Sequence, residues 1–357
     1  MRSLACRPPF TNALAELAQT TCVFRKMTKP NAVASPFAIR WRDWRAIVVR
    51  AFLRALADNV GLLSAGIAFY AFLSIFPAVA AGLMVWGLFT DMTTLGAQLG
   101  AIREIAPDAF GLVADQMVVI ATQDDGGLTF GLIVSGVLAL WSASGGVSAL
   151  MQAMNMAYHE KEKRPFLRLT ALTLGFTLAG IVFVGLSIAA IAAVPPILKA
   201  LYLGAFMEAF IGGARWLIVI AVFMVACAVI YRIAPSRAKA RWRWILPGAI
   251  AAGVMWLVAS IAFSTYLENF NAYNATFGSL GAVAALLMWF WISAYVICLG
   301  AELNAQLELF TTVDTTVDDP APRGQRGAYV ADHVQSPEAP DIIAGEEVTK
   351  TKVLGTS

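Results

Sequence analysis

The stretch FGSLGAVAALLMWFWISAYVICLGAELNA, residues 277–305, carries no charged side chain before Glu302. The positions before that glutamate outnumber the roughly 20 apolar residues that an α-helix needs to cross the hydrocarbon core of a bilayer. A helix of a water-soluble protein rarely stays uncharged for so long, because one of its faces meets water. This stretch therefore predicts a membrane-spanning helix.

Five further stretches have the same character, and they dominate the composition of the chain. Of its 357 residues, 59% are hydrophobic and 14% are charged, and the mean hydropathy is +0.70. This composition excludes an ordinary soluble domain, a disordered chain and a water-soluble nucleic-acid binder. We predict an all-α polytopic membrane protein with six transmembrane helices. They run approximately over Leu62–Phe89, Leu128–Met156, Leu169–Val194, Trp216–Ile233, Ile245–Leu267 and Thr276–Ala301.

Lysine and arginine are distributed unevenly between the two sides of these helices. The two ends of the chain and the second and fourth connections hold 23 of the 26 basic residues, whereas Arg103, Lys199 and Arg215 are alone on the opposite side. Positively charged connections stay in the cytoplasm. We therefore predict a multi-pass protein of the bacterial inner (plasma) membrane, with both termini cytoplasmic.

The segments outside the helices suggest three regions. We expect residues 1–40 to be a disordered extension, 41–310 to be the membrane domain, and the polar tail at 311–357 to be disordered. Within Thr90–Gly127, apolar residues recur at near-helical spacing, which predicts short amphipathic helices on the outer side. Residues Pro195–Arg215 are a candidate for a third such helix.

Two cytoplasmic connections, at 159–168 and 237–244, are basic and aromatic. Such residues beside a span are attracted to anionic lipid and to the membrane interface, so this pattern favours lipid contact over RNA binding. We expect membrane lipids as partners and no nucleic acid, and we leave a homo-oligomer open.

Residues that could perform catalysis or bind a metal are scarce. The two histidines, His159 and His333, are far apart, and neither has a histidine or cysteine neighbour at metal-site spacing. The sequence contains no phosphate-binding loop and no nucleophile elbow. Its four cysteines are too dispersed for a disulfide framework or a zinc site. We expect no enzymatic activity, no catalytic residues, no metal and no cofactor.

Charged residues near the cytoplasmic ends of the helices form a first candidate site. Glu302 lies 24 residues after Gly278, which is about 36 Å along a helix and exceeds the roughly 30 Å hydrocarbon thickness. The candidate polar cluster consists of Asp58, Asn59, Glu302, Arg232 and Arg237. Two interpretations stay open: a structural role in helix capping and ion pairing, or a working site at a cytoplasmic mouth.

Small and hydroxyl residues in the second span form another candidate site. The string LWSASGGVSALMQAMNMAY, residues 140–158, is typical of a helix that packs closely against its neighbours. The alternative is a polar cavity lined by Ser142, Ser144, Asn155 and Tyr158, beside a kink that Pro77 introduces into the first span.

Three strings together resemble the YihY/BrkB family of bacterial inner-membrane proteins, also called UPF0761. They are DNVGLLSAGIAFYAFLSIFPAV (58–79), LWSASGGVSALMQAMNMAY (140–158) and FGSLGAVAALLMWFWISAYVICLGAELNA (277–305), and the resemblance covers roughly residues 40–310. It implies a six-span membrane protein without an established biochemical activity. One branch is named for a virulence role in serum resistance, and transport has been proposed for the family.

The name ribonuclease BN is also attached to this family, but the residues do not support it. A metal-dependent nuclease needs clustered histidine and aspartate ligands, which two isolated histidines cannot supply. We expect a permease-like or export role for a small or lipidic substrate. The alternative is a non-transporting membrane protein that supports envelope integrity through partners or lipids.

Overall fold

A computed structural model of the protein describes residues 32–89, 125–200, 205–268, 279–317 and 319–334. Within these ranges there is no β-strand, and one isolated bridge pairs Ala240 with Thr316. The all-α prediction is therefore confirmed. The helices are α1 (Trp41–Ala57), α2 (Val60–Phe89), α3 (Asp125–Ala157), α4 (Phe166–Ala200), α5 (Ala205–Ile233), α6 (Trp242–Glu268), α7 (Ser279–Phe310) and the short α8 (Tyr329–Asp332).

The six apolar stretches coincide with the six long helices α2 to α7. By length and composition, four described stretches can cross a membrane: Ile133–Ala157, Phe166–Phe183, Trp242–Glu268 and Gly281–Phe310. A fifth crossing results if α1 and the start of α2, which meet at 66°, are counted as one broken span. The apolar part of α5 with described side chains is shorter than a bilayer requires. The structure therefore supports a membrane protein with four to five candidate spans.

The predicted outer amphipathic helices at 90–124 lie outside the described residues. The third candidate, Pro195–Arg215, is not a separate helix where it is described. Its beginning continues α4 as far as Ala200, and its later part belongs to α5 from Ala205 onward. Both proline residues lie in the last turns of α4, and the helix continues past them.

Glycines allow the helices to approach one another closely. A Cβ atom at Gly145 of α3 would lie 2.6 Å from the ring of Tyr70 on α2. Where α6 crosses α7, a Cβ at Gly300 would lie 2.7 Å from the carbonyl oxygen of Gly248. Real side chains do not fit at such distances, so these positions require glycine. Helix α7 contacts α1, α2, α3 and α6, which places it at the centre of the bundle.

The helix α1 lies before the first predicted span and packs against the C-terminal part of α7. Ile47, Ala51 and Ala55 recur every four residues and are buried, as expected for an amphipathic helix with one apolar face. That face joins a core cluster with the end of α7 and the start of α6. The cluster consists of Ile39, Ile47, Ala51, Trp244, Leu303, Leu307 and Phe310.

Helix α7 continues beyond the predicted end of its span at Ala301, and all residues from 301 to 311 are buried. The sequence predicts that the span ends where polar residues begin. In the structure, however, the polar residues that follow Ala301 are buried inside the protein. Asn304 explains part of this burial. Its side chain accepts a hydrogen bond from the Gly248 amide at 2.7 Å and donates one to the Ile245 carbonyl at 2.9 Å.

In the structure, the residues next to the two ends of the predicted membrane domain pack against it, whereas the sequence predicts disorder before residue 41 and after residue 310. Residues 311–317 and 319–334 pack against the bundle, with Thr315 and Val330 fully buried. Residues 32–40 are also ordered, since the Thr311 hydroxyl donates to the Val33 carbonyl at 2.8 Å. Composition could not reveal this, because backbone hydrogen bonds, such as that from the Val317 amide to the Lys239 carbonyl at 2.9 Å, hold the tail. The remaining parts, 1–31 and 335–357, lie outside the described residues.

Candidate functional site

Two glutamates on the last turns of α7 are completely buried. Glu302 and Glu308 are both 0% exposed. Ionised carboxylates are costly to bury unless they are paired and hydrogen-bonded. The surroundings of each carboxylate therefore decide what it can do.

Glu308 has a complete set of partners, which we call the Glu308 cluster: Glu308, Arg237 and Thr315. The Nη2 group of Arg237 donates to the two carboxylate oxygens at 2.8 and 2.9 Å, and the Thr315 hydroxyl donates to Oε2 at 2.6 Å. Burial alone would lower the pKa of Arg237, but the Glu308 carboxylate more than compensates and raises it above its ordinary value. The Arg237 guanidinium also lies over the ring of Tyr158, 4.6 Å from its centre.

Glu302 has a different environment. Neither of its oxygens accepts a hydrogen bond from an N–H or O–H donor of the described residues, but the Asp58 carboxyl lies within hydrogen-bonding reach of Glu302. The charged groups of α1 that act on it are Asp58 and Arg54. Arg54 already pairs with Asp58, with 3.0 Å between Nε and Oδ2, and both side chains reach toward solvent. Glu302 is thus a buried carboxylate without a cation of its own.

Other buried polar groups in this part of the bundle have few hydrogen-bond partners within the described ranges. They are the Ser64 hydroxyl of α2, whose neighbour is the Cys298 thiol, the Tyr158 hydroxyl just after α3, whose neighbour is Asn304, and the Gln306 amide oxygen. Glu302 acts electrostatically on both Tyr158 and Cys298, and Cys298 is also adjacent to Ser64. Native proteins leave few such groups unsatisfied, so a gathering of them needs an explanation. We call Glu302, Ser64, Tyr158 and Gln306 the Glu302 site.

The predicted polar cluster is therefore divided. Asp58 is near Glu302, whereas Arg237 pairs with Glu308, a residue that the sequence analysis did not identify. Asn59 has a structural role in the connection between α1 and α2. Its φ of 53° is in the left-handed region and turns the chain from one helix into the next. Arg232 stacks on the Trp242 ring at 4.4 Å. The predicted span ends at Ala301, so the sequence did not point to Glu308. A predicted helix that continued to Phe310 would have included it.

The four residues of the predicted cavity also occupy different places. Ser142 precedes Asn155 by 13 residues, about 20 Å along α3. The Ser144 hydroxyl donates to the Trp141 carbonyl of its own helix at 2.7 Å. Asn155 joins two connections, since it accepts from the Ser236 amide at 2.7 Å and donates to Glu162 at 3.0 Å.

Tyr158 is the member of that set which lies in the polar region between the two glutamates. It is buried, and burial raises the pKa of its phenol well above the ordinary value. The hydroxyl therefore stays protonated and keeps its capacity to donate a hydrogen bond, with the Asn304 side chain as its hydrogen-bonding neighbour.

The two histidines, which are distant in sequence, meet around one ring of the tail. His333 stacks on Tyr329 at 3.9 Å between ring centres, and His159 lies 5.3 Å from the same ring. Burial, together with the nearby Arg54, lowers the pKa of His159. Across the described part of the chain, no three His, Cys, Asp or Glu side chains gather in a way that could hold a metal ion.

An apolar groove lies between α6 and α7, in the half of the bundle distant from Glu302. It encloses about 450 Å³. This is within the usual size range of ligand pockets. The residues that line it are Phe263, Leu267, Gly281, Ala282, Ala285, Leu286 and Trp289.

A family model and several individual relatives match this chain, and both kinds of match bear on the family to which it belongs. The family model described as virulence factor BrkB matches residues 51–325. The chain is 33% identical over 251 residues to YfkH of Bacillus subtilis, whose name describes it as ribonuclease-like; the match covers 68% of this chain and 88% of that protein.

Two further relatives are named only as UPF0761 membrane proteins. The one from Aliivibrio salmonicida is 27% identical over 71% of this chain and 80% of its own length. The one from Pseudoalteromonas translucida is 22% identical over 73% of this chain and 86% of its own length. No solved structure matches the chain. The resemblance drawn from the sequence is confirmed: the chain belongs to the virulence factor BrkB family, which includes the UPF0761 membrane proteins.

Proposed function

We propose that this protein is a permease-like membrane protein that moves or exports a small or lipidic substrate. The observation that carries the proposal is the Glu302 site. Ionisable side chains buried in the helix bundle of a membrane protein are costly and usually mark substrate or ion pathways, and Glu302 would lie where such a pathway reaches the cytoplasmic boundary. A carboxylate needed only for structure would be expected to have partners like those of Glu308, six residues later on the same helix.

The topology that we propose for this role has six spans, α2 to α7, with both termini in the cytoplasm. Contacts among the basic connections support it. The Lys163 amide donates to the Ser236 hydroxyl at 3.1 Å, and the Tyr329 amide donates to Glu160 at 2.6 Å. The second connection, the fourth connection and the tail therefore meet at one end of the bundle, as the positive-inside rule requires of cytoplasmic segments.

Reporter fusions test this topology. Fusions at Asp125, Met207 and Asn271 should report the outer side, because an odd number of crossings separates each position from the cytoplasmic N-terminus. Fusions at Lys163, Lys239 and Asp319 should report the cytoplasm. A cytoplasmic signal at Asp125 or Asn271 would contradict the six-span arrangement.

The apolar groove supports a lipidic substrate over a strictly polar one. Its lining is aliphatic and aromatic: large residues come from both helices, and the small residues Gly281, Ala282 and Ala285 come from α7. A groove of this kind suits an acyl chain, while the Glu302 site at the other end supplies polar groups for a different part of the transport cycle.

The test is substrate flux with purified protein in liposomes. We expect flux of fluorescent lipid analogues to depend on the protein and to be lost in Glu302→Gln, which keeps the shape of the side chain. Glu268→Gln is the matched control, because Glu268 is exposed at the far end of α6 and its replacement should leave flux unchanged. Flux that is equal in empty liposomes would contradict the transport proposal.

A non-transporting role in envelope integrity is the alternative, and one observation favours it. The helix α1, the fourth connection and the docked tail build a cytoplasmic surface larger than a simple set of loops. This role predicts that cells with Glu302→Gln keep normal envelope function. The nuclease implied by the name of the Bacillus relative is not part of either proposal.

A further inference from the structure

We propose that Glu302 is a proton-binding site that exchanges its proton with the cytoplasm past the Asp58–Arg54 pair. This inference rests on the proposed transport function and specifies its coupling ion. It starts from two observations: Glu302 is completely buried with no N–H or O–H donor for its oxygens among the described residues, and its hydrogen-bonding neighbour is another carboxyl group, that of Asp58.

Burial and the Asp58 carboxylate favour the neutral form of Glu302, and the charge of Arg54 opposes it. Asp58, just after α1, and Arg54 of α1 act on it directly. Tyr158, just after α3, and Cys298, one turn earlier on α7, interact electrostatically with it, and the Ser64 hydroxyl of α2 is next to Cys298. Arg54 is engaged by Asp58 at 3.0 Å, and Arg237 is engaged by Glu308 at 2.8 Å. Neither arginine is left to neutralise a third carboxylate, so a proton serves that purpose.

The unpartnered neighbours suit both protonation states. Gln306 lies four residues after Glu302, one turn along the same face of α7. Its amide oxygen, which lacks a donor among the described residues, can accept from a protonated carboxyl. The hydroxyls of Ser64 and Tyr158 can donate to the ionised carboxylate. A site with acceptors for one state and donors for the other can bind and release a proton without rearranging the backbone.

A route to water begins at the bend between α1 and α2. The Asp58 side chain is 11% exposed and that of Arg54 is 30% exposed, so this pair connects buried Glu302 with the cytoplasmic surface. A proton from water enters at the Asp58 carboxylate, passes to the Glu302 carboxylate to give the acid, and returns by the same route. A metal cation held by acidic, histidine or cysteine side chains fits less well, because no three His, Cys, Asp or Glu side chains gather within the described ranges.

The direct test is infrared spectroscopy of the purified full-length protein, titrated with acid and base. A protonated carboxylic acid has a carbonyl band that an ionised carboxylate lacks. We expect such a band at neutral pH in the wild type and in the exposed control Glu268→Gln, and its loss in Glu302→Gln. In Asp58→Asn, the band should remain while its exchange in heavy water slows, since the relay is interrupted.

The result that would overturn the proposal is an identical carboxylic-acid band in the wild type and in Glu302→Gln across the titration. Glu302→Asp provides a second variant that keeps an acid at this position, and it should retain a band with a changed titration midpoint. The spectroscopic readout does not depend on transport. A Glu302 band without any substrate flux supports the proton site and contradicts the proposed function, whereas flux without this band contradicts the proton site alone.

Discussion

The Glu308 cluster and the Glu302 site lie on the same helix, six residues apart, and their carboxylates are equally buried. Around Glu308, an arginine and a threonine supply three hydrogen bonds of 2.6–2.9 Å. Around Glu302, the nearest cation belongs to another carboxylate. Burial alone therefore does not reveal what a charged residue is for, because the partners decide whether it stabilises the fold or remains free to react.

The largest effect should come from breaking the Glu308 cluster. Arg237→Ala leaves Glu308 buried and unpaired, which should reduce the free energy of unfolding by about 3–5 kcal/mol. Thermal or denaturant unfolding in detergent measures this loss. The double variant Arg237→Met with Glu308→Gln should recover part of the stability, because it removes both charges. A loss below about 1 kcal/mol, the range of exposed pairs, would show that the pair is not buried in solution.

A smaller effect is expected at Asn304, which lies between the two glutamates and fixes the position of α7 against α6. Asn304→Ala removes its hydrogen bonds to Gly248 and Ile245 and should destabilise the protein by about 1–3 kcal/mol, the usual penalty for an unsatisfied buried group. Glu302 and Glu308 should both be affected, so the infrared band of Glu302 should shift as well. Unchanged stability and an unchanged band would contradict this structural role.

Acid should weaken the packing of the tail beside Glu308, and we expect only a modest decrease in the free energy of unfolding of the whole protein. Burial alone would raise the pKa of Asp314, but hydrogen bonds from Thr316 and Ala321, with the charge of Arg326, lower it. The stabilisation that the Asp314 carboxylate gives the folded tail is therefore complete above the unfolded pKa of about 3.9. It is lost as the pH falls through the lower pKa of the folded state. Limited proteolysis should cleave the tail faster in acid than at neutral pH. Asp314→Asn should show the faster cleavage already at neutral pH.

The smallest effect on stability is expected at Glu302 itself. Glu302→Gln preserves the side-chain shape and removes an ionisable group that has no salt-bridge partner among the described residues. Replacing such a group is often neutral or stabilising, so unfolding free energy should stay within about 1 kcal/mol of the wild type or rise. A loss comparable to that of Arg237→Ala would show that Glu302 is a structural residue like Glu308.

Much of the fold could be predicted from the sequence, because membrane insertion depends on properties that are local in the chain. The apolar stretch Ile245–Leu267 became α6, which runs from Trp242 to Glu268. Length and lack of charge suffice for such a prediction, since every backbone polar group of a helix is satisfied within the helix itself. The family resemblance rested on the same segments and was confirmed.

The candidate site could be predicted only in part. Glu302 was identified because it interrupts an apolar stretch, and Asp58 because it flanks one. The sequence also indicated that the Gly- and Ser-rich stretch of α3 packs closely, which the contact between Gly145 and Tyr70 supports. It did not show which charges pair, because a linear pattern contains no distances between helices.

The tertiary structure alone decided the pairing and the docked ends. Arg237 and Glu308 are separated by 71 residues, and Tyr329 binds Glu160 across 169 residues. Hydrophobic composition set which segments enter the membrane, since transfer from water depends on the side chains of each segment. The free energy of a buried charge depends instead on partners a few ångströms away. The packing of α1, α3, α6 and the tail around α7 therefore determined that Glu308 pairs with an arginine, whereas Glu302 has no ion-pair partner among the described residues.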